Sequence, residues 1–100
     1  MAAKARFATL ARADLKETGL YIARTNRARG HSFVREIVDK CQIYAENPDM
    51  GRNCSDLLGG MRSFPHGNYV IFYRRYRSGI QIVRVIHAQR DIRPEMFDQP

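Results

Sequence analysis

The sequence of 100 residues has no tryptophan and only two cysteines, Cys41 and Cys54. Two cysteines at this spacing make neither a disulfide framework nor a zinc-binding pattern, so we expect reduced thiols and no metal site. His31 and His66 are too far apart in the sequence to suggest metal ligands. The sequence also lacks a glycine-rich phosphate loop and a Ser/His/Asp signature. We therefore expect no cofactor.

Long apolar runs are absent as well. Charged residues interrupt the N-terminal segment, among them Lys4, Arg6 and Asp14, which argues against a signal peptide. No run approaches the roughly 20 apolar residues that a membrane-spanning helix needs. These absences predict a protein without a membrane segment, located in the reducing cytoplasm.

Acidic residues are scarce relative to basic ones. The chain has 17 Lys and Arg against 10 Asp and Glu, which gives a formal net charge of +7. A chain with this charge is attracted to nucleic acid, to acidic protein surfaces or to anionic membranes. Most of the cations are arginines, whose planar fork binds phosphate and carboxylate. The charge predicts an acidic partner. A basic face that serves solubility alone is the less favoured alternative, because basic residues outnumber acidic ones and are mostly arginines.

The first half of the chain predicts one strand and one helix, followed by a second helix. Residues 5–11 alternate loosely, as in a short strand. Apolar residues then recur at helical spacing, which predicts a first helix with one buried stripe, formed by Ala11, Leu15, Thr18 and Ile22. Asn26 and Gly30 predict a break after it.

The second helix is predicted to begin at Ser32 as its N-cap and to end at Asn47–Pro48. Its apolar stripe is broad enough to pack on both a sheet and the first helix. The stripe consists of Phe33, Val34, Ile37, Val38, Lys40, Cys41, Tyr44 and Ala45.

The second half of the chain changes to a period of two. We predict strands at 61–64, 69–76 and 80–87, with turns at 65–68 and 77–79. The last strand is apolar on both faces, which is typical of an interior strand. The prediction is one α+β domain over residues 1–100, in the order β-α-α-β-β-β, with a helical hairpin packed on a small antiparallel sheet. Its core should include Ile71, Phe72, Val83 and Val85.

The end of the last strand is the first candidate for chemistry. His87 precedes Arg90 and Asp91 there, so it is a candidate general acid or base, or else a hydrogen-bonded structural histidine. By strand alternation Arg84 shares a face with Ile82 and Ile86, which predicts a half-buried position or one at a groove. The arginines of this half could hold a phosphate or bind acidic side chains.

The segment LLGGMRSFPHGNYVIFYRRYRSGIQIVRVIHAQRDI, residues 57–92, resembles the RelE/ParE superfamily of bacterial toxins. The fairly specific part is the series RSFP, YVIFYR, RV, H and RD, and the two predicted helices resemble those of the family. The resemblance implies a β-α-α-β-β-β toxin of a type II toxin–antitoxin pair. It also implies a cognate antitoxin with an acidic, amphipathic segment, and it allows a toxin–antitoxin hetero-oligomer.

The superfamily contains RelE-like enzymes, which cut messenger RNA on the ribosome, and ParE-like toxins, which poison DNA gyrase. Val70 stands where the RelE-like pattern has a phosphate-contacting arginine, and Arg93 stands where that pattern has a tyrosine. The motif RSFP followed by YVIFYR resembles that of the ParE-like branch. The resemblance therefore favours a binding-type inhibitor of DNA gyrase. The alternative is a RelE-like, ribosome-dependent endoribonuclease.

The interaction residues follow from this interpretation, and no residue is assigned as catalytic or metal-binding. We expect the target to be bound by a basic set near the C-terminus, made up of Arg84, His87, Arg90 and Arg93. We expect the antitoxin to be bound by a largely apolar set on the helices and the sheet, made up of Leu15, Ile22, Phe33, Ile37, Tyr44 and Arg74.

Overall fold

The computed structural model describes residues 3–97 of the chain. Two α-helices pack on one face of a five-stranded sheet. The helices are α1 (Thr9–Ala23) and α2 (Arg27–Glu46), and 3-10 turns cover Pro48–Met50 and Pro94–Phe97. The strands are β1 (Ala5–Phe7), β2 (Arg52–Asn53), β3 (Arg62–His66), β4 (Tyr69–Tyr76) and β5 (Gly79–His87).

The strand order in the sheet is β1-β5-β4-β3-β2. Strands β2 to β5 form antiparallel pairs, because tight turns join β3 to β4 and β4 to β5. Strand β1 is parallel to β5, since both helices intervene before the chain returns to the sheet. The predicted α+β class and element order are confirmed, with a sheet that is mixed at one edge and carries the additional two-residue strand β2.

Three of the predicted strands have different limits in the structure. Strand β1 is shorter than predicted, because α1 already begins at Thr9. Strand β3 begins at Arg62, one residue later than predicted, and continues past Phe64 to His66, so the turn contains only Gly67 and Asn68. Strand β4 has the predicted limits, and β5 begins at Gly79, one residue earlier than predicted.

The second helix begins earlier than its sequence suggests. The side chain of Asn26 accepts a hydrogen bond from the backbone N–H of Arg29 at 3.0 Å, which makes Asn26 the N-cap. The prediction of Ser32 as the cap was therefore wrong, and Ser32 instead donates to the carbonyl of Arg29 at 3.2 Å. Gly30 does not break the chain into two segments as predicted, because it lies within α2. Its missing side chain lets α2 approach Gly19 of α1 closely.

Apolar side chains are buried on both faces of the sheet. The larger cluster lies between sheet and helices, and includes the α1 stripe residues Ala11 and Leu15. A second cluster lies on the opposite face, where the segments around Leu57 and Phe97 cover Phe72. Ile71, Phe72, Val83 and Val85 are all buried, as predicted. Strand β5 is indeed interior, with β1 on one side and β4 on the other.

A β-bulge interrupts the regular alternation of β5. Phe72 of β4 pairs with Arg84 and Tyr73 pairs with Ile82, so Val83 is an extra residue on β5. Beyond the bulge, each residue of β5 points to the opposite side of the sheet from the one that strict alternation predicts. Ile82 and Ile86 therefore lie in clusters on opposite faces of the sheet. The expectation that Arg84 shares one face with both of them was therefore wrong.

Candidate functional site

The C-terminal half of β5 forms one wall of a cleft. Strand β1 pairs only with residues 80–82, so the edge of β5 beyond the bulge faces helix α1 instead of a strand. The cleft has a volume of about 320 Å³. Its lining comes from α1, β4, β5 and the turn after β5, and comprises Asp14, Glu17, Thr18, Tyr21, Tyr69, Val85, Ile86, His87 and Arg90.

Asp14 and Arg84 connect the two walls of this cleft. The Nε and Nη2 atoms of Arg84 donate to the two carboxylate oxygens of Asp14, at 2.7 and 3.1 Å. The backbone N–H of Val85 also donates to Asp14, at 2.9 Å, and so the carboxylate satisfies a donor on the open strand edge. Only 11% of the Arg84 side chain is exposed. The bidentate contact with Asp14 raises the pKa of Arg84 above its ordinary value.

Arg84 also connects β5 to the C-terminal segment. Its Nη1 atom donates to the carbonyl of Met96 at 3.0 Å, in addition to the two bonds with Asp14. The predicted half-buried position of Arg84 is confirmed, but its guanidinium is already occupied by partners within the chain. It holds α1, β5 and the 92–97 segment together, and is poorly placed to meet a phosphate or another protein.

His87 lies at the end of β5, on the same side as α1. Its ring packs edge-on against Tyr69, with centroids 5.0 Å apart. Its Nδ1 atom accepts a hydrogen bond from the backbone N–H of Gln89 at 3.1 Å, which assigns the proton of the neutral ring to Nε2. In this tautomer the ring presents a donor at Nε2. His87 is thus hydrogen-bonded to its own turn and suited to donate to a bound partner.

The four residues expected to bind the target are only partly brought together. His87 and Arg90 share the cleft, and Arg84 lies behind them in its ion pair with Asp14. Arg93 lies on the C-terminal segment, where its Nε donates to Asp91 at 2.8 Å and both side chains remain largely exposed. The exposed cation of the cleft itself is Arg90.

The residues expected to bind the antitoxin do not form one surface. Leu15, Phe33 and Ile37 are buried between the helices and the sheet. Ile22 and Tyr44 are partly buried against the same core. Arg74 is exposed on the opposite face of the sheet, where its Nε donates to the side chain of Gln81 at 3.2 Å. Leu15, Phe33 and Ile37 therefore determine how the helices pack on the sheet.

Sequence reasoning missed a set of exposed apolar side chains on the helices. Leu20 and Tyr21 of α1 are 61% and 62% exposed, and Ile43 of α2 is 52% exposed. The available signal was their position outside the stripe that predicted the buried face of each helix. Large apolar side chains at such positions mark candidate contact sites for another protein.

The described residues offer little for metal or redox chemistry. No group of three His, Cys, Asp or Glu side chains within residues 3–97 is arranged to hold a metal ion. Burial raises the pKa of the Cys41 thiol to about 12, so this residue is an unreactive part of the core. In the same part of the chain, no helix is long and apolar enough to cross a membrane.

Comparison with known proteins identifies relatives over nearly the whole chain. Residues 5–92 match the family described as the ParE toxin of the type II toxin–antitoxin system parDE. Toxin ParE1 of Caulobacter vibrioides is 29% identical over 92 residues, which cover 91% of this chain and 95% of that protein. Toxin ParE1 of Mycobacterium tuberculosis is 32% identical over 65 residues, which cover 64% of this chain and 66% of that protein, just under two thirds of its length.

A solved structure shares the fold. It is described as the chromosomal ParDE TA system from P. aeruginosa, and it superposes with a TM-score of 0.72 at 18% identity, covering 88% of this chain and 98% of the other. At that identity the likeness concerns the fold alone. The match to the family over residues 5–92 is what decides the assignment. The chain belongs to the ParE toxin family of type II toxin–antitoxin systems.

Proposed function

We propose that this member of the ParE toxin family inhibits DNA gyrase by direct binding and cleaves no nucleic acid. The observation that carries the proposal is the ion pair of Arg84 with Asp14, which occupies the guanidinium beside the cleft that contains His87. The second supporting observation is Val70, which occupies the strand position of the phosphate-contacting arginine in RelE-like enzymes and packs against the second core cluster.

Cleavage of a phosphodiester needs groups that stabilise the extra negative charge of the transition state, and this stabilisation is usually the largest catalytic contribution. Val70 cannot supply it, and Arg84 already has a carboxylate partner. A binding surface needs only exposed donors of suitable shape. Arg90 and the Nε2 atom of His87 fit that requirement at the mouth of the cleft.

The alternative function is ribosome-dependent cleavage of messenger RNA. The observation that favours it is the position of His87 and Arg90 in one cleft with Tyr69. A histidine, a cation and a phenol are residue types that can act in acid–base chemistry on RNA. The two functions make opposite predictions for purified protein.

The deciding experiment uses purified toxin freed from its antitoxin, tested in parallel on gyrase and on translating ribosomes. We expect loss of DNA supercoiling, or trapped complexes of gyrase with cleaved DNA, while ribosome-bound messenger RNA stays intact. Codon-specific cuts in messenger RNA that disappear in a folded His87→Ala variant would instead establish the nuclease function.

A matched pair of variants locates the gyrase contact. Arg90→Gln removes the exposed cation of the cleft, and Arg27→Gln removes an exposed cation at the start of α2. If Arg90 is a central contact, its loss should weaken inhibition by about 5- to 150-fold, which corresponds to about 1–3 kcal/mol. The Arg27 variant should inhibit like the original protein. Equal inhibition by both variants would remove Arg90 from the contact.

We further propose that a cognate antitoxin neutralises the protein through an acidic, amphipathic segment, in the cytoplasm where gyrase acts. The exposed apolar side chains of the helices, Leu20, Tyr21 and Ile43, are suited to contact the apolar side of such a segment. Ile22 and Tyr44 would extend this surface. Leu15, Phe33 and Ile37 would support it from beneath, because they are buried.

The antitoxin surface can be tested without changing the core. Leu20→Ser and Tyr21→Ser alter side chains that are mostly exposed, so the fold should be preserved. Binding of the co-expressed antitoxin should weaken by at least about tenfold if these residues are central contacts. Met50→Ser, at another exposed apolar residue outside the helices, is the control. Unchanged binding in the α1 variants would place the antitoxin elsewhere.

A further inference from the structure

The face of the sheet that points away from the helices is covered at one end only. Near Phe72 and Val83 the segments around Leu57 and Phe97 pack over it. Near the β4–β5 hairpin the same face carries exposed side chains, those of Lys4, Arg6 and Arg74. A groove between the two halves is lined by residues of both, among them Leu57, Phe97, Gln81 and Arg74.

The strand register brings these cations to one side. Arg6 of β1 pairs with Gln81 of β5, and Gln81 pairs with Arg74 of β4. Adjacent strands lie about 4.8 Å apart, so the backbones of Arg6 and Arg74 are about 10 Å apart. Ala3, Ala5 and Phe7 pack against the core on the helix side, and alternation therefore directs Lys4 and Arg6 to the open side.

Backbone contacts between β5 and Lys4 fix the position of β1 near the β4–β5 hairpin. The backbone N–H of Ile80 donates to the carbonyl of Lys4 at 3.0 Å. Gly79 lies directly against the backbone of Lys4, and any side chain at this position would collide with it. Arg77 extends the basic set, with its guanidinium 5.3 Å from the ring centroid of Tyr76. Together, Lys4, Arg6, Arg74 and Arg77 form the basic face of the sheet.

Within residues 3–97 the cations of the basic face have no ion-pair partner, in contrast to other arginines of this chain. Arg75, on the helix side of the same strand, pairs with Asp49 at 3.1 Å, and Arg29 pairs with Glu36 at 2.8 Å. Among residues 3–97, no carboxylate lies within ion-pair distance of any member of the basic face. The acidic residue of the adjoining groove is Glu95, on the C-terminal segment.

The composition of the basic face distinguishes between classes of partner. Central contacts between proteins are enriched in arginine as well as in tryptophan and tyrosine, and they usually combine the arginine with a large apolar or aromatic anchor. The large apolar side chains that are exposed within residues 3–97 all lie on the helices and on the 3-10 turn at Met50. The basic face has none of them, and it offers guanidinium and ammonium groups on a pleated, open surface. Such a surface fits a regular array of phosphates, which attracts cations with little need for apolar contact.

We propose that the basic face binds the sugar–phosphate backbone of double-stranded DNA. This goes beyond the proposed gyrase inhibition, because the contact needs no gyrase. The face lies at the hairpin end of β4 and β5, whereas the cleft with His87 and Arg90 lies at the opposite end of β5. The same molecule can therefore contact DNA with one end of the sheet and a protein with the other.

The test measures binding of purified full-length protein to a short fluorescent DNA duplex of mixed sequence by anisotropy, between about 50 and 200 mM salt. The variant is Arg6→Gln with Arg74→Gln. Loss of two phosphate contacts should lower the affinity by about tenfold or more at 100 mM salt, and should make the log–log salt slope shallower by about 2. The assay contains no antitoxin, so a role of Arg74 in antitoxin binding cannot affect the measured DNA affinity.

The control is Arg27→Gln with Arg35→Gln, which removes the same charge from exposed positions on α2. This control should bind DNA nearly as well as the original protein. If the first variant does not fold, Lys4→Gln with Arg77→Gln tests the same face outside the paired strand positions. An equal loss in the control, tighter binding of single-stranded RNA, or no duplex binding at about 50 mM salt would overturn the proposal.

Discussion

A single carboxylate, that of Asp14, serves three donors at the place where the sheet loses its edge strand. Two of them belong to Arg84 and the third is the backbone N–H of Val85. The bulge at Val83 allows this, because it turns the side chain of Arg84 out of the regular alternation and toward the strand edge. The two side chains are 11% and 12% exposed, so water contributes little to either charge. Their loss should therefore matter more than that of a surface pair.

The first prediction concerns Asp14→Asn. An amide can accept from one donor but presents an N–H₂ group to the other, so part of the Arg84 guanidinium loses its acceptor. We expect the free energy of unfolding in urea to fall by about 1.5–3 kcal/mol. Asp91→Asn removes the exposed partner of Arg93 and should change it by less than about 0.5 kcal/mol. Equal effects of the two changes would show that Asp14 is no more than a surface partner.

The two helices depend on a close approach that only glycine allows. A side chain at Gly30 would place its Cβ atom 2.5 Å from the carbonyl oxygen of Gly19 and 2.9 Å from the backbone nitrogen of Ala23. Both are main-chain atoms of a regular helix and cannot move aside individually. The crossing point of α1 and α2, and with it the position of the exposed apolar side chains on α1, is therefore set at Gly30.

The second prediction concerns Gly30→Ala. Alanine favours a helix over glycine by about 1 kcal/mol, but the collision with Gly19 should outweigh this gain. We expect a net loss of about 1–3 kcal/mol in the free energy of unfolding, together with weaker antitoxin binding. Gly19→Ala is the matched control, because its Cβ atom would meet a side-chain methyl group of Val34 at 3.0 Å, which can shift. A Gly30 variant as stable as the original protein would show that the helices can separate without cost.

Helix α2 is also joined to strand β3 by a carboxylate. Glu36 accepts from Arg29 at 2.8 Å and contacts the Nε2 atom of His66 at 2.9 Å, while the ring of His66 packs against Phe33. The hydrogen bonds from Arg29 and, secondly, His66 lower the pKa of Glu36 from 4.5 to about 2. Because the folded state holds the charged form more strongly than the unfolded state, Glu36 stabilises the fold above pH 4.5.

The third prediction concerns how the stability gained from the contacts of Glu36 with Arg29 and His66 depends on pH. The advantage in melting temperature of the original protein over Glu36→Gln should be constant above pH 4.5 and should shrink as the pH falls from 4.5 to about 2. Asp39→Asn, at an exposed carboxylate of the same helix without an ion pair among residues 3–97, serves as the control. A difference between Glu36→Gln and the original protein that did not change over this range would contradict the lowered pKa.

The whole molecule has an uneven distribution of charge. The formal net charge is +7, and several of the 10 acidic residues are engaged in pairs, such as Asp14, Glu36 and Asp49. In the part of the chain that the structure describes, cations without an ion-pair partner remain at both ends of the sheet, at Arg90 beside the cleft and on the basic face at the hairpin. The positive electrostatic potential of such a protein attracts acidic partners, and the salt concentration sets the distance over which this attraction acts.

The fourth prediction concerns the rate of antitoxin binding. The association rate constant should fall by at least about tenfold as salt rises from about 10 to 150 mM, because the screening length shrinks from about 30 to 8 Å. The dissociation rate should change much less, since apolar contacts on the helices would determine it. Stopped-flow mixing at several salt concentrations measures both. An association rate that is independent of salt would rule out steering by the net charge.

The sequence determined the features that depend on neighbours along the chain. The helical spacing of Ala11, Leu15 and Thr18 predicted the buried stripe of α1, and alternation predicted β4 over its full length. The resemblance of residues 57–92 predicted the family that the comparison confirmed. Periodicity suffices for these because it is imposed by backbone geometry within each element.

Only the tertiary structure decided how distant residues meet. The pairing of Asp14 with Arg84 joins residues 70 positions apart, and it depends on a one-residue bulge that no local pattern of β5 reveals. The parallel addition of β1 to β5 places Arg6 beside Gln81 and Arg74, and so creates the basic face. The close approach of Gly30 to Gly19 likewise joins two separate helices. Strand register and helix crossing depend on contacts between separate segments, and a reading along the chain contains no information about those distances.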